Sequence, residues 1–239
     1  MLSPYGKPQT TLLGTLGTIA MVVAAYMGWW IVLAALAVAI VALLAFFRDP
    51  HRTVPTLRGQ AVAPADGRIS SIHTIDHYEP FDGPAVCIRI FLSVLDVHIN
   101  RAALHGRIVS ITHVPGKHLN ALKAESAEFN ESTLLVFHNP THDVPVCAIR
   151  QIAGAIARRI VTRVDVGDIL QRGQRFGMIK FGSTTELYLP HPDRVDVQVQ
   201  QGQYVYAGAT VLAMVPSVAD IATDAPSDSD AEPAESKSD

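Results

Sequence analysis

The sequence predicts a mainly β protein with few short helices: a barrel-sandwich-like β domain preceded by an N-terminal transmembrane hairpin. Three observations predict it. No charged residue occurs between Lys7 and Arg48. From Ala61 to Val215, short apolar runs alternate with Gly, Pro, Asn and Asp, the punctuation of strands and turns. Beyond Pro216 the composition turns to Asp, Glu, Ser, Ala and Pro. The expected organisation is an anchor at 1–50, a β-rich domain at 51–216 and an acidic tail at 217–239.

The anchor comes first. Leu12 to Phe47 is an almost wholly apolar run of about 36 residues, whereas one spanning helix needs about 20. Two short helices with a turn near Gly28-Trp29-Trp30 fit better than one long helix. Tyr26, Trp29 and Trp30 would then sit at a headgroup boundary, where amphipathic rings are favoured. Lys7 precedes the run, and Arg48, Arg52 and Arg58 follow it. Positive charge on both flanks places both on the cytoplasmic side, which a hairpin permits and a single span does not. A cleaved signal peptide fits poorly, because FFRDPHR rather than a small-residue cleavage site follows the run.

Strands are expected at 68–75, 85–92, 106–114, 133–138, 144–152, 175–182, 185–190, 194–199 and 209–215. Many short strands at such spacing indicate a sandwich or barrel. Helical signal is thin: 118–129 and 152–159 could each make two or three turns. The tail cannot bury enough apolar surface to offset its ordering entropy, and a solvated, disordered segment is expected there. With 19 Lys and Arg against 22 Asp and Glu, the net charge of −3 gives no electrostatic footprint for nucleic acid. Cys87 and Cys147 each lie in an apolar run and read as buried core thiols.

Three segments carry candidate chemistry: Pro64-Ala65-Asp66-Gly67, then Phe91 to Arg101 (FLSVLDVHINR), then Arg175 to Ser183 (RFGMIKFGS) followed by Thr184. Singly, each has an ordinary explanation. Pro-x-Asp-Gly is a turn, a lone His beside a strand is usually structural, and Gly-Ser-Thr between strands is usually a connection. Together with FFRDP (46–50) and IAGAIARR (152–159), in this order, they resemble the short bacterial class of phosphatidylserine decarboxylases. The resemblance runs from the anchor to about Val215. Two departures stand out. Residues 123–132 keep only a Lys-Ala and an Asn-Glu pair of a longer family stretch, and Thr184 stands where short relatives commonly have Arg.

The resemblance implies a proenzyme that cuts itself between Gly182 and Ser183 and converts Ser183 to a covalent pyruvoyl group, the cofactor. The chemistry needs these residue types. No genetically encoded side chain is an electron sink, so decarboxylation of an amino acid requires pyridoxal phosphate or a backbone-derived ketone. Ser183 would attack the carbonyl of Gly182, whose missing Cβ leaves the approach open. Elimination from the resulting ester then yields the new N-terminus. A serine hydroxyl needs a base. Asp66 matches the aspartate that the family assigns to self-cleavage, and His98 is the best match for its histidine. Longer relatives have two histidines there. His98 falls on the first, linked to decarboxylation, and Arg101 on the second, linked to self-cleavage. Self-cleavage, decarboxylation or both therefore stay open as roles of His98.

The implied partners are phosphatidylserine, converted to phosphatidylethanolamine and carbon dioxide, and the bilayer itself. The self-derived β chain (1–182) and α chain (from Ser183) would form a heterodimer, and relatives often dimerise further. The implied location is the inner cell membrane with the catalytic domain on the cytoplasmic side.

Two other classes compete. The cadence of Val197 to Leu212 matches lipoyl-like barrels and suggests a non-catalytic, membrane-anchored adaptor subunit, which would not split at Ser183. A metal enzyme would use His138, His142 and Asp143, or His73, Asp76 and His77. HNPTHD reads as a turn rather than a helix that aligns two ligands, and no metal site is expected.

Overall fold

The computed structural model describes residues 2–116, 129–154, 160–179 and 183–216. Two antiparallel helices come first, α1 (Lys7–Tyr26) and α2 (Trp30–Phe46). Between them Gly28 adopts φ +70, a conformation that glycine enters without steric cost. The chain returns to its starting level: Ser3 N–H donates to Phe47 O at 2.8 Å, and Leu2 bridges Arg48. Helix α1, with its leading turn from Pro4, is long and apolar enough to cross a bilayer. Helix α2 has 17 residues and no charge. Tyr26, Trp29 and Trp30 are exposed at the far end of the hairpin.

The rest of the protein is mainly β. Its principal sheet joins β2 (Gly67–Tyr78), β3 (Gly83–Leu92), β5 (Gly106–Val114), β6 (Ser132–His138), β7 (Pro145–Ala153), β9 (Ile169–Leu170), β11 (Ser183–Pro190) and β13 (Tyr204–Val205). The order across it is β13-β2-β3-β11-β7-β6-β5-β9, and every pairing is antiparallel. Two three-stranded sheets accompany it. One is β1 (Gln60–Val62), β14 (Val211–Met214) and β12 (Asp196–Val197); the other is β4 (Ile99–Arg101), β10 (Arg175–Ile179) and β8 (Ile160–Thr162).

The residue period of 2 decides what faces what. Along β11, Leu187 and Leu189 enter the main core with Ile88, Ile90, Leu135, Phe137 and Ile149. Ser183 and Thr185 lie on that same inward face. Thr184, Glu186 and Tyr188 face the other way, where Tyr188 donates to Glu186 and Arg89 pairs with it at 2.8 Å. Cys87 and Cys147 are free and buried, and burial pushes both thiols up to about 12.

The longer strand expectations coincide with β2, β3, β5, β6, β7 and β11, each within three residues at either end. Others need correction. The run 194–199 forms a strand only at Asp196–Val197, since a 3-10 turn occupies Pro192–Arg194. Ile152 and Ala153, expected to open a helix, instead end β7, because β11 pairs with them. Residues 155–159, nearly all of 118–129, Lys180 to Gly182 and the tail from Ser217 lie outside the described residues.

The hairpin is joined to the β domain at its base. Tyr5, Phe46 and Phe47 form one buried cluster with Val97, Ile99 and Met178. These last three belong to the segments that carry His98 and lead to Ser183.

Candidate active site

Strand pairing gathers the three sequence segments at one end of the principal sheet. Arg68 is in register with Phe91, Ser183 with Leu92 on one side and with Ala153 on the other. Gly67 makes this alignment possible. Its φ is +149, and a Cβ there would lie 2.1 Å from Phe91 O, so no other residue fits without moving β3.

Asn100 ties the segments together. Its Nδ2 donates to Thr185 Oγ1 at 3.1 Å and reaches Pro64 O at 3.4 Å, while its Oδ1 accepts from Gln151 Nε2 at 2.8 Å. Gln151 in turn accepts from Thr162. Asn100 is fully buried, so this network satisfies a group that would otherwise be costly to enclose. The network spans the PADG turn, the DVHINR segment and the strand that begins with Ser183.

Ser183 is the first residue of β11 and fully buried. Its Oγ has no hydrogen-bond partner among the described residues. Native interiors rarely leave a hydroxyl in that condition, and a catalytic role is one explanation for it. Four residues earlier, Ile179 N–H donates to His98 O at 3.2 Å.

His98 is also fully buried, and its ring packs against Phe46 at 4.6 Å between centroids. Nδ1 lies 2.8 Å from Asp96 O. A carbonyl only accepts, so Nδ1 carries the proton and Nε2 is left as the basic nitrogen. Burial lowers the His98 pKa to about 4, against the opposing pull of the Asp96 carbonyl. The imidazole is therefore neutral at physiological pH and ready to accept a proton.

Asp66 has partners of its own. Its Oδ2 accepts from Arg52 at 2.6 Å and its Oδ1 from Ala207 N–H at 2.8 Å. Burial raises its pKa, opposed by the Ala207 N–H and the Arg52 guanidinium. Ser183 is paired with Leu92, six residues before His98, while Asp66 lies in the turn just before β2 and is bonded to Arg52 and Ala207. Arg52 lies 5.1 Å from the Tyr206 ring, Tyr206 packs edge-on to Tyr204 at 5.0 Å, and Tyr204 OH donates to Asp96 Oδ1 at 2.6 Å. That chain of contacts leads from Asp66 to the loop that carries His98.

Arg101 is held in an ion pair. It donates to Asp49 Oδ1 at 2.9 Å and to Gly173 O at 3.0 Å, while Arg175 approaches Asp49 Oδ2 at 2.6 Å. Its guanidinium stays charged and cannot relay a proton. FFRDP, HINR and RFG thus meet at Asp49, in a clamp that fixes the base of the hairpin to the β domain.

The sequence model of the phosphatidylserine decarboxylase family matches residues 41–213. The chain belongs to that family. Three relatives named phosphatidylserine decarboxylase proenzyme illustrate the match. The Rhodopirellula baltica protein is 46% identical over 82% of this chain and 81% of its own. That of Carboxydothermus hydrogenoformans is 46% identical over 71% and 78%. That of Nitratidesulfovibrio vulgaris is 39% identical over 89% and 94%. The family match starts in α2, before the Asp49 clamp, and covers all three segments that Asn100 joins.

Sequence reasoning named Ser183, Asp66 and His98 but missed the parts played by Asn100, Asp49 and Tyr204. Asn100 and Asp49 lie inside quoted motifs, which signalled their presence without their partners. Tyr204 carried no signal at all. The histidines weighed as metal ligands serve elsewhere: HNPTHD forms the β6–β7 turn, with Asp143 Oδ1 bonded to Arg107 and His138, and His73 and His77 lie on strand β2.

Proposed function

We propose that the chain is a self-processing phosphatidylserine decarboxylase that cuts itself between Gly182 and Ser183, carries a pyruvoyl group derived from Ser183, and makes phosphatidylethanolamine and carbon dioxide. The observation that carries this reading is the buried Ser183 hydroxyl at the head of β11, which has no hydrogen-bond partner among the described residues. Family membership and the names of the relatives support the same chemistry.

The residues present fit the group. Ser183 is held by ladder pairing on both sides, to Leu92 and Ala153, so its backbone position does not depend on the segment before it. When formed, the group supplies an electrophilic ketone that takes up the electron pair left by departing carbon dioxide. Everything else falls to the chain's own residues. His98 is the candidate proton carrier, for the Ser183 hydroxyl during self-cleavage, for the product carbon during turnover, or for both. Burial keeps His98 neutral for the first task and Phe46 shields it from water. Asp66 acts at one remove, by holding Arg52 and the Ala207 backbone against the loop that bears His98. The fragments stay together after cleavage, because β11 remains zipped between β3 and β7.

In this reading, residues 1–50 form a transmembrane hairpin and residues 51–216 a barrel-sandwich-like catalytic domain on the cytoplasmic face of the inner membrane. Residues 217–239 form a tail without a catalytic part. Lys7, Arg48, Arg52 and Arg58 support that side, and the return of Ser3 to Phe47 supports two crossings. A lipid substrate then reaches the site without leaving the bilayer, which replaces a three-dimensional search.

Gel electrophoresis of the purified protein tests the proposal. The wild type should run as two fragments that convert phosphatidylserine to phosphatidylethanolamine. Ser183→Ala should run whole and be inactive. An uncut wild type that still turns over the lipid would overturn the mechanism.

A further inference from the structure

The loop between β3 and β4 ends in an apolar tip that points into solvent. Leu95 is 81% exposed and Val94 44% exposed, while Val97, two positions on, is buried against Phe46 and Phe47. Isolated exposed leucines are ordinary on protein surfaces. Two features set this one apart.

First, the tip is fixed outward. Ser93 N–H donates to Asp96 Oδ2 at 2.7 Å and Asp96 N–H to Ser93 O at 3.1 Å. Tyr204 OH holds Asp96 Oδ1 at 2.6 Å, and Arg48 donates to Leu95 O at 2.6 Å. A loop pinned at four points cannot fold back to bury its leucine, so the exposure is built in.

Second, its position is set by the hairpin. Arg48 caps the last turn of α2 through Ala45 O at 2.7 Å and, with its other nitrogen, grips the loop. The tip therefore lies beside the base of the two apolar helices, whose Leu12, Leu16, Ile19, Val38 and Val41 are exposed along their length. His98 follows three residues after Leu95.

We infer that Val94 and Leu95 insert into the bilayer interface beside the hairpin and form the lipid-side lip of the active site. The partner is the acyl-chain boundary of a phospholipid membrane, where an apolar side chain is favoured next to a basic one. The inference rests on the membrane reading of the hairpin proposed above. It adds a second contact, which holds the reactive end against the lipid surface.

Depth quenching tests it. A Leu95→Cys full-length protein is labelled with an environment-sensitive fluorophore; Cys87 and Cys147 are buried, so the label goes to position 95. The protein is reconstituted in phosphatidylcholine–phosphatidylserine vesicles with plain or brominated acyl chains. Val166→Cys, exposed in the turn just before the edge strand β9, is the reference. Strong quenching at 95, at least about threefold above that at 166, supports the inference. Equal quenching at both positions, or none at 95, overturns it.

A second measurement compares Leu95→Asp with wild type. Turnover of vesicle-borne phosphatidylserine should fall about tenfold or more, with a far smaller loss on a short-chain, water-dispersed substrate; equal losses on both would count against insertion. Electrophoresis keeps the two proposals apart. A quenched label on a chain that never splits supports insertion and overturns the chemistry, and an unquenched label on a split, active enzyme does the reverse.

Discussion

The two ends of the principal sheet differ in what they bury. At the Ser183 end lie a neutral histidine, a hydroxyl with no partner among the described residues, three buried carboxylates (Asp49, Asp66 and Asp96) and the Asn100 network, near the base of the hairpin. At the Pro190 end, roughly 25 Å away along the eight residues of β11, is a cleft of about 670 Å³ lined by Val54, Pro55, Leu104, Val146, Pro190 and Val215. This cleft lies at the end without the reactive groups. Cavity size follows from how short loops and prolines close a sheet. Reactivity follows from where polar groups are enclosed against their solvation cost. The end that encloses polar groups is where chemistry is expected.

The largest expected effect is at Ser183, where Ala should abolish both fragment formation and turnover, read by gel and lipid product analysis. Next comes His98. His98→Ala should slow self-cleavage or turnover by about a hundred- to ten-thousand-fold, the range of a positioned acid–base group. Separate rates for the two steps would show which of them this histidine serves.

The same residue gives a pH dependence. His98 holds its proton less tightly folded, near pH 4, than unfolded, near 6.5. Between those values the unfolded chain binds more protons, so stability contributed here is fully present above about pH 6.5 and lost as pH falls toward 4. The difference corresponds to roughly 3 kcal/mol. The scission rate should stay flat from neutral pH down to about 5. A midpoint near 6.5 would indicate an exposed histidine instead.

Asp49→Ala comes third. It leaves Arg101 charged and buried without its carboxylate, which costs about 3–5 kcal/mol and should appear in thermal unfolding. Asn100→Ala should cost about 1–3 kcal/mol by stranding Gln151 and Thr185, and it should slow scission by loosening the alignment of the three segments. Smallest is Arg58→Ala at the far cleft, within about 0.5 kcal/mol of wild type and with unchanged turnover. A large loss there would move function to the other end of the sheet.

Much of this architecture was legible in the sequence, and the parts that were not share a cause. The hairpin could be read because charge is absent from Pro8 to Phe47. The long strands could be read because seven or more residues show a period. β1, β4, β8, β9, β12 and β13 have two or three residues each, too few for any period, and exist only because neighbouring ladders hold them. The site behaved similarly. Ser183, Asp66 and His98 were singled out through motif order, not local pattern. The partners that position them act across long separations: Tyr204 to Asp96 spans 108 positions, Asn100 to Thr185 spans 85, and Arg101 to Asp49 spans 52. Such contacts are products of the fold and leave no local trace.

Intact-mass analysis of the purified protein is the most direct test of the backbone scission on which this account depends. The expected result is two species, one ending at Gly182 and one starting at residue 183, the second lighter than a serine-initiated fragment by one ammonia. A single species with the mass of the uncut chain, in a preparation that makes phosphatidylethanolamine, would contradict it.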